Sequence, residues 1–228
     1  MTWYAADRKD SQGWLLGRQG EEVEAGKVIA RTSGFADVLL AGERVALNLL
    51  QHLSGVATMT RQYVRAVEGT SAKIGDTRKT TPGLRMLEKY AVLLGGGLNH
   101  RYGLDDGVCI KSNHAAIAGG LAAAIKSAQE KIGHLHRIAA EVSSTSEIKE
   151  VIDSGATVLV LHAVANDAVR DWISAARDLS PSITIEIAGV DNLDDVRAYA
   201  EAGADLIRVD ALTQSVRAMD ISFQIQPG

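Results

Sequence analysis

Three short clusters of basic residues carry the chemical signal of this chain. Arg78-Lys79 runs into Thr80-Thr81-Pro82-Gly83, two hydroxyls and a turn. His100-Arg101 follows the triple glycine 95–97. Lys111 ends the apolar run Val108-Cys109-Ile110 and leads into Ser112-Asn113-His114. Arginine offers a planar two-donor fork and lysine a compact charge, a pair suited to anions. Taken singly, each cluster also fits an ordinary solvated loop, with His100 satisfied by local backbone. Taken together, Arg78, Lys79, His100, Arg101 and Lys111 form a positive hole in a chain of net charge −4. Such a hole focuses small anionic ligands. A compact dicarboxylate fits it better than a polymer.

These residues need elements to position them. Short Val/Ile/Leu-rich runs at residues 73–76, 107–111, 137–142, 157–162, 182–188 and 205–210 read as strands. Helical periodicity separates the later ones, at 144–154, 166–179 and 193–202. Alternating strands and helices build a parallel sheet, because a parallel return needs a crossover. Runs such as Val158-Leu159-Val160-Leu161, apolar on both faces, suit a barrel or an open doubly wound sheet. No GxGxxG follows a strand, which favours the barrel. Chemistry then gathers at the C-terminal strand ends: residues 76–79, 111–114, Glu141, His162, 188–191 and 210–211. The first fifty residues read as a small β-rich unit with a strand over 36–40, followed by a helix from about 42 to 67 that contains Gly55. The expected division is a shortened N-terminal unit with its linking helix over 1–70 and an α/β barrel domain over 71–228.

Composition narrows the function classes. The 228 residues are 46% hydrophobic and 23% charged, which suits a packed globular chain. The acidic balance excludes a general nucleic-acid binder. No apolar run is long enough to span a membrane, and no secretory signal opens the chain, so the expected compartment is the cytoplasm. The one cysteine, Cys109, lies inside an apolar run and reads as a buried inert thiol. HExxH, CxxC, GxSxG and P-loop signatures are missing. His134-x-His136 reads as surface linker rather than a metal pair.

Longer stretches carry a resemblance. Glu43-Arg44-Val45-Ala46-Leu47-Asn48, Leu53-Ser54-Gly55-Val56-Ala57-Thr58 and Asp76-Thr77-Arg78-Lys79-Thr80-Thr81-Pro82-Gly83-Leu84-Arg85 resemble the quinolinate phosphoribosyltransferase family. Glu88-Lys89-Tyr90-Ala91-Val92, residues 95–103 and Ile110-Lys111-Ser112-Asn113-His114 continue the match. The resemblance implies a small α/β sandwich joined to an open α/β barrel. It also implies a reaction in which quinolinate and phosphoribosyl pyrophosphate give nicotinate mononucleotide, CO₂ and pyrophosphate, with Mg²⁺. It implies a homodimer with shared sites, into which Arg44 reaches from the partner. Arg78, Lys79, His100, Arg101 and Lys111 would hold the two carboxylates. Glu141 would stabilise an oxocarbenium-like state, and Lys79 and Lys111 the charge developed on decarboxylation. Glu141 and His162 stand at the metal positions, and Ala188, Gly189, Val190 and Asp210 at the phosphate loops.

Departures accompany the match. The N-terminal unit is shorter than the family's. The family's Leu-Asp-Asn reads Leu161-His162-Ala163, its Glu-x-Ser-Gly-Gly reads Glu186-Ile187-Ala188-Gly189-Val190, and its Val-Gly-Ala-Leu-Thr reads Val209-Asp210-Ala211-Leu212-Thr213. Val190 is expected to crowd a phosphate and Asp210 to repel it. Three readings remain open on these residues. The family reaction is one. A divergent enzyme that keeps the pyridine-carboxylate pocket without that donor is another. The third is a non-catalytic partner subunit.

Overall fold

The computed structural model describes residues 12–162, 164–190 and 192–226. Ala163 and Asp191, both expected at strand ends, lie outside the described residues. Two short strands, β1 (Gln12–Leu15) and β2 (Ala30–Ser33), pair antiparallel with every residue exposed. The helix α1 follows at once, over Ala36–Ala66. The strand expected over 36–40 is therefore the first turn of this helix. Ala-Asp-Val-Leu-Leu is a short apolar run that periodicity alone cannot assign, and Asp37 in the first turn complements the helix dipole.

The rest of the chain alternates strands and helices. It runs β3 (Lys73–Gly75), α2 (Arg85–Leu94), β4 (Val108–Ile110), α3 (Ser112–Ala118), α4 (Leu121–Gln129), β5 (Ile138–Val142) and α5 (Thr145–Asp153). It ends with β6 (Val158–His162), α6 (Val169–Leu179), β7 (Thr184–Val190), α7 (Leu193–Ala202), β8 (Leu206–Val209) and α8 (Ala211–Gln214). The strands form one parallel sheet in the order β3-β8-β7-β6-β5-β4. The first strand thus pairs with the last, which wraps the sheet into a barrel open only between β3 and β4. Leu98 partly fills that seam through a parallel bridge to Gly75, its N–H donating to the Ile74 carbonyl at 2.8 Å.

Strand alternation sorts the apolar residues into two cores. Leu159, Leu161, Ile185, Ile187, Ile207 and Val209 face outward, buried beneath the helices. Cys109, Ala139, Val158, Val160 and Ala188 face inward as a separate, small-residue plug. A barrel filled by such short side chains leaves room above the plug for longer polar ones.

Two glycine clusters permit close helix packing. A Cβ at Gly55 would lie 2.3 Å from the Arg217 carbonyl oxygen, because the C-terminal tail crosses α1 there. The Met219 N–H donates to the Gln51 carbonyl at 3.0 Å, and Gln51 Nε2 donates to the Ile221 carbonyl at 2.7 Å. Cβ atoms at Gly95 and Gly97 would meet Thr60 at 2.5 and 2.8 Å. The close approach that the triple glycine allows is therefore to α1.

Candidate active site

The site is built where the inward rows leave the plug. In the row of Val160, Glu141 of β5 and Glu186 of β7 stand on either side. Lys111, just past β4, reaches Glu141 with Nζ 3.7 Å from Oε2. One strand further, Arg208 of β8 is buried with Nη1 3.0 Å from Glu186 Oε1, and His100 Nε2 lies 3.6 Å from Glu186 Oε2. Burial alone would raise the Glu186 carboxyl. The neighbouring His100 ring and the positive charges of Arg208 and Lys111 outweigh this, and hold it below the ordinary glutamate value. Each acid of the row is therefore flanked by a base on its outer side, Lys111 beside Glu141 and Arg208 beside Glu186.

Buried charges hold the basic loops. Asp76, wholly buried past β3, accepts from Lys89 Nζ and from the His100 N–H, both at 2.6 Å. Lys89 Nζ also donates to the His100 carbonyl at 2.9 Å. Asp76 thus ties the loop of Arg78 and Lys79 to the loop of His100 and Arg101. Burial pushes its carboxyl up, against the pull of Lys89 and His100. Glu88 repeats the device: one oxygen lies 2.7 Å from His52 Nε2 on α1, and the other accepts the Thr81 N–H at 3.0 Å. Arg85 Nη2 and Thr213 Oγ1 then donate to the Arg78 and Lys79 carbonyls at 3.2 and 2.8 Å.

Asp76 was expected at a chemistry-bearing strand end; Glu88, Lys89 and Arg208 were given no role from sequence, and each carried a signal. Glu88 and Lys89 fall on the same helical face as the core residues Ala91 and Val92. A charge on an apolar stripe calls for a buried partner. Arg208 interrupts the apolar strand Leu206-Ile207-Arg208-Val209.

The expectations for Asp210 and Val190 need correction. Asp210 is not an unopposed negative charge, because Lys79 Nζ lies 2.6 Å from its Oδ2. Val190 does not intrude on the mouth. A one-residue bulge between Ile187 and Val190, with Gly189 at φ 79°, turns the Val190 side chain back into the outer core. Ala188, by contrast, joins the inner plug. Arg44 stands exposed on α1, and no contact within the described residues joins it to the barrel mouth. Arg101 lies beside the seam, its Nη1 donating to the Gly107 carbonyl at 2.7 Å. His136 Nε2 lies 2.9 Å from the Asp105 carbonyl oxygen. Cys109 is buried and free.

A Mg²⁺ that arrives with a phosphorylated substrate needs only one or two protein carboxylates, and Glu141 would supply one. Among the described residues, no three of His, Cys, Asp or Glu converge on a metal position. Glu141 offers one hard oxygen, while His162 is an exposed imidazole at the end of β6, poorly matched to Mg²⁺.

Four buried side-chain atoms lack a hydrogen-bond partner within the described residues: Arg78 Nε, Arg101 Nε, and the two oxygens Glu141 Oε2 and Glu186 Oε1, which face Lys111 and Arg208 as ion pairs only. Buried polar atoms are rarely left so, and all four belong to the two basic loops and the acidic row. Unsatisfied donors and acceptors around an open barrel end mark an enzyme site for a small, charged ligand.

Comparison with known proteins gives the class its family. Models of the quinolinate phosphoribosyl transferase C-terminal and N-terminal domains match residues 56–224 and 13–54. A probable nicotinate-nucleotide pyrophosphorylase (carboxylating) of Bacillus subtilis is 44% identical over 94% of this chain and 73% of its own. The human nicotinate-nucleotide pyrophosphorylase (carboxylating) is 33% identical over 93% and 72%. The solved nicotinate-nucleotide pyrophosphorylase of Francisella tularensis superposes with a TM-score of 0.88 at 34% identity, covering 95% of this chain and 76% of that one. The chain belongs to the quinolinate phosphoribosyltransferase family and is an enzyme of the phosphoribosyltransferase kind. No helix among the described residues is long and apolar enough to cross a membrane.

Proposed function

We propose that the protein transfers a phosphoribosyl group to quinolinate, giving nicotinate mononucleotide, CO₂ and pyrophosphate. The observation that carries this reading is that two buried guanidinium nitrogens, Arg78 Nε and Arg101 Nε, lack a hydrogen-bond partner within the described residues of the two basic loops. A flat dicarboxylate supplies acceptors for the two guanidinium nitrogens. Lys111 and the His100 ring complete its grip.

The chemistry follows from charge placement. The pyridine nitrogen attacks the anomeric carbon of the donor as the bond to pyrophosphate breaks, the electron pair leaving with pyrophosphate. Glu141 sits where it can oppose the cationic character of the ribosyl carbon, as carboxylates do in glycoside chemistry. Loss of CO₂ then leaves an electron pair on the ring carbon, which Lys79 and Lys111 stabilise until solvent supplies a proton. Lys79 reaches this role by leaving Asp210. Arg44, exposed on α1, enters the site of a partner copy in a homodimer.

The relatives' names favour this reading over one without the phosphoribosyl donor. The test is an assay with quinolinate and phosphoribosyl pyrophosphate. Stoichiometric release of pyrophosphate and CO₂ is expected. Quinolinate binding without pyrophosphate release would overturn the transfer and leave only the pocket.

A further inference from the structure

Arg208 does more than balance a buried charge. Ile207 and Val209 on either side are wholly buried in the outer core, so Arg208 must point inward. Its register partner across β3 is Gly75, which has no side chain to compete for the space. Nη1 lies 3.2 Å from His100 Nε2, within hydrogen-bond reach. Glu186 Oε2 lies 3.6 Å from the same nitrogen, beyond it. The backbone of His100 is fixed at both ends, its N–H on Asp76 and its carbonyl on Lys89. Nδ1 makes no hydrogen bond within the described residues.

Guanidinium has donors only, so a nitrogen that accepts from it carries no proton. The hydrogen bond at one ring nitrogen sets the protonation of the other. We propose that Arg208 is a positioning residue: by donating to His100 Nε2 it fixes the ring as the neutral Nδ1–H tautomer, which meets a ligand carboxylate as a hydrogen-bond donor. The inference rests on the pyridine-dicarboxylate reading of the pocket. The charged groups facing the ring are Arg208 and Glu186, with Lys111 acting on Glu186. Glu186 keeps Arg208 in place and would otherwise favour a proton on Nε2. The shorter contact decides against it.

The test is the nitrogen spectrum of histidine-labelled full-length protein at about pH 8, above the ordinary histidine range, with His100→Gln assigning the signal. Nδ1 protonated and Nε2 bare is the expected result. A protonated Nε2 overturns the proposal. A second arm replaces both buried charges together, Arg208→Met with Glu186→Gln, because removing one alone strands the other. This variant should lose the fixed tautomer and bind quinolinate about tenfold more weakly. Arg208→Lys with Glu186 retained should recover part of that affinity. An unchanged tautomer in the double variant would also sink the proposal. Failure of the unmodified protein to bind quinolinate would instead overturn the pocket reading, and the ring spectrum alone would then decide the role of Arg208.

Discussion

Lys79 Nζ and Asp210 Oδ2 lie 2.6 Å apart, joining the loop after β3 to the end of its neighbour β8 at the barrel mouth. The lysine is largely exposed and the aspartate largely covered, so the pair stabilises the fold by only about 0–1 kcal/mol. Its effect is on availability. A lysine held by an internal carboxylate meets an incoming anion at a discount.

Asp210→Asn should free that lysine. The expected outcome is a near-unchanged Tm and binding of inorganic pyrophosphate tightened by about threefold to tenfold, measured by calorimetry at low salt. Equal affinity in both proteins would show that Lys79 does not meet this anion.

Truncating the dicarboxylate grip should act through binding. Arg101→Ala or Lys111→Ala removes a charge-assisted bond worth about 1.5–3 kcal/mol, a loss of roughly 10- to 150-fold in quinolinate affinity. Neutral pyridine should bind neither the variants nor the unmodified protein to a measurable extent.

The buried pair beneath the loops is a matter of stability. Lys89→Met leaves Asp76 uncompensated and should cost about 3–5 kcal/mol in urea unfolding. Adding Asp76→Asn should return part of that loss, since the remaining group is then neutral. If Lys89→Met unfolds at the same urea concentration as the unmodified protein, the pair is not what holds the two loops.

Glu186 predicts an acid limb. Its carboxyl is held below the ordinary value of 4.5, so the folded state binds its proton less readily than the unfolded chain does. The stability it lends is present above that value and is lost as pH falls through the lower, folded one. The double variant Arg208→Met with Glu186→Gln should therefore lose less stability than the unmodified protein between about pH 5 and pH 3. Parallel pH profiles would contradict this.

Arg44 and the apolar residues beside it predict assembly. Phe35, Leu40 and Val45 are exposed on or next to the same helix, with Trp14, Leu15 and Leu16 on and beside β1. Light scattering at micromolar concentration should report a homodimer. Arg44→Ala and Lys111→Ala homodimers, each inactive, should regain about a quarter of normal activity when mixed and re-equilibrated, because half the dimers then carry one intact site. No recovery would place Arg44 outside its partner's site.

Much of the barrel could be read from sequence, because each strand is an apolar run between polar turns and a parallel return allows few topologies. Residues 36–40 misled because five apolar-rich residues fit either period. Val190 misled for a subtler reason. Its expected place came from matching the family's phosphate loop, and one extra residue at Gly189 turns its side chain into the outer core instead. The basic loops were legible by residue type. The groups that hold them were hidden as charges inside apolar patterns, at Glu88, Lys89 and Arg208. The role proposed for Arg44 rests on resemblance alone, since no contact within the described residues brings it to the mouth.

The crossing of the C-terminal tail over α1 bears on how the protein is made. Gln51 and Ile221 bond across 170 positions of sequence, and β3 finds its neighbour only when β8 has been synthesised. On the ribosome, α1 must therefore wait for nearly the whole chain with the groove around Gly55 uncovered. Closing so long a loop is slow, and a nascent chain with that stripe bare is exposed to aggregation until the last strand arrives.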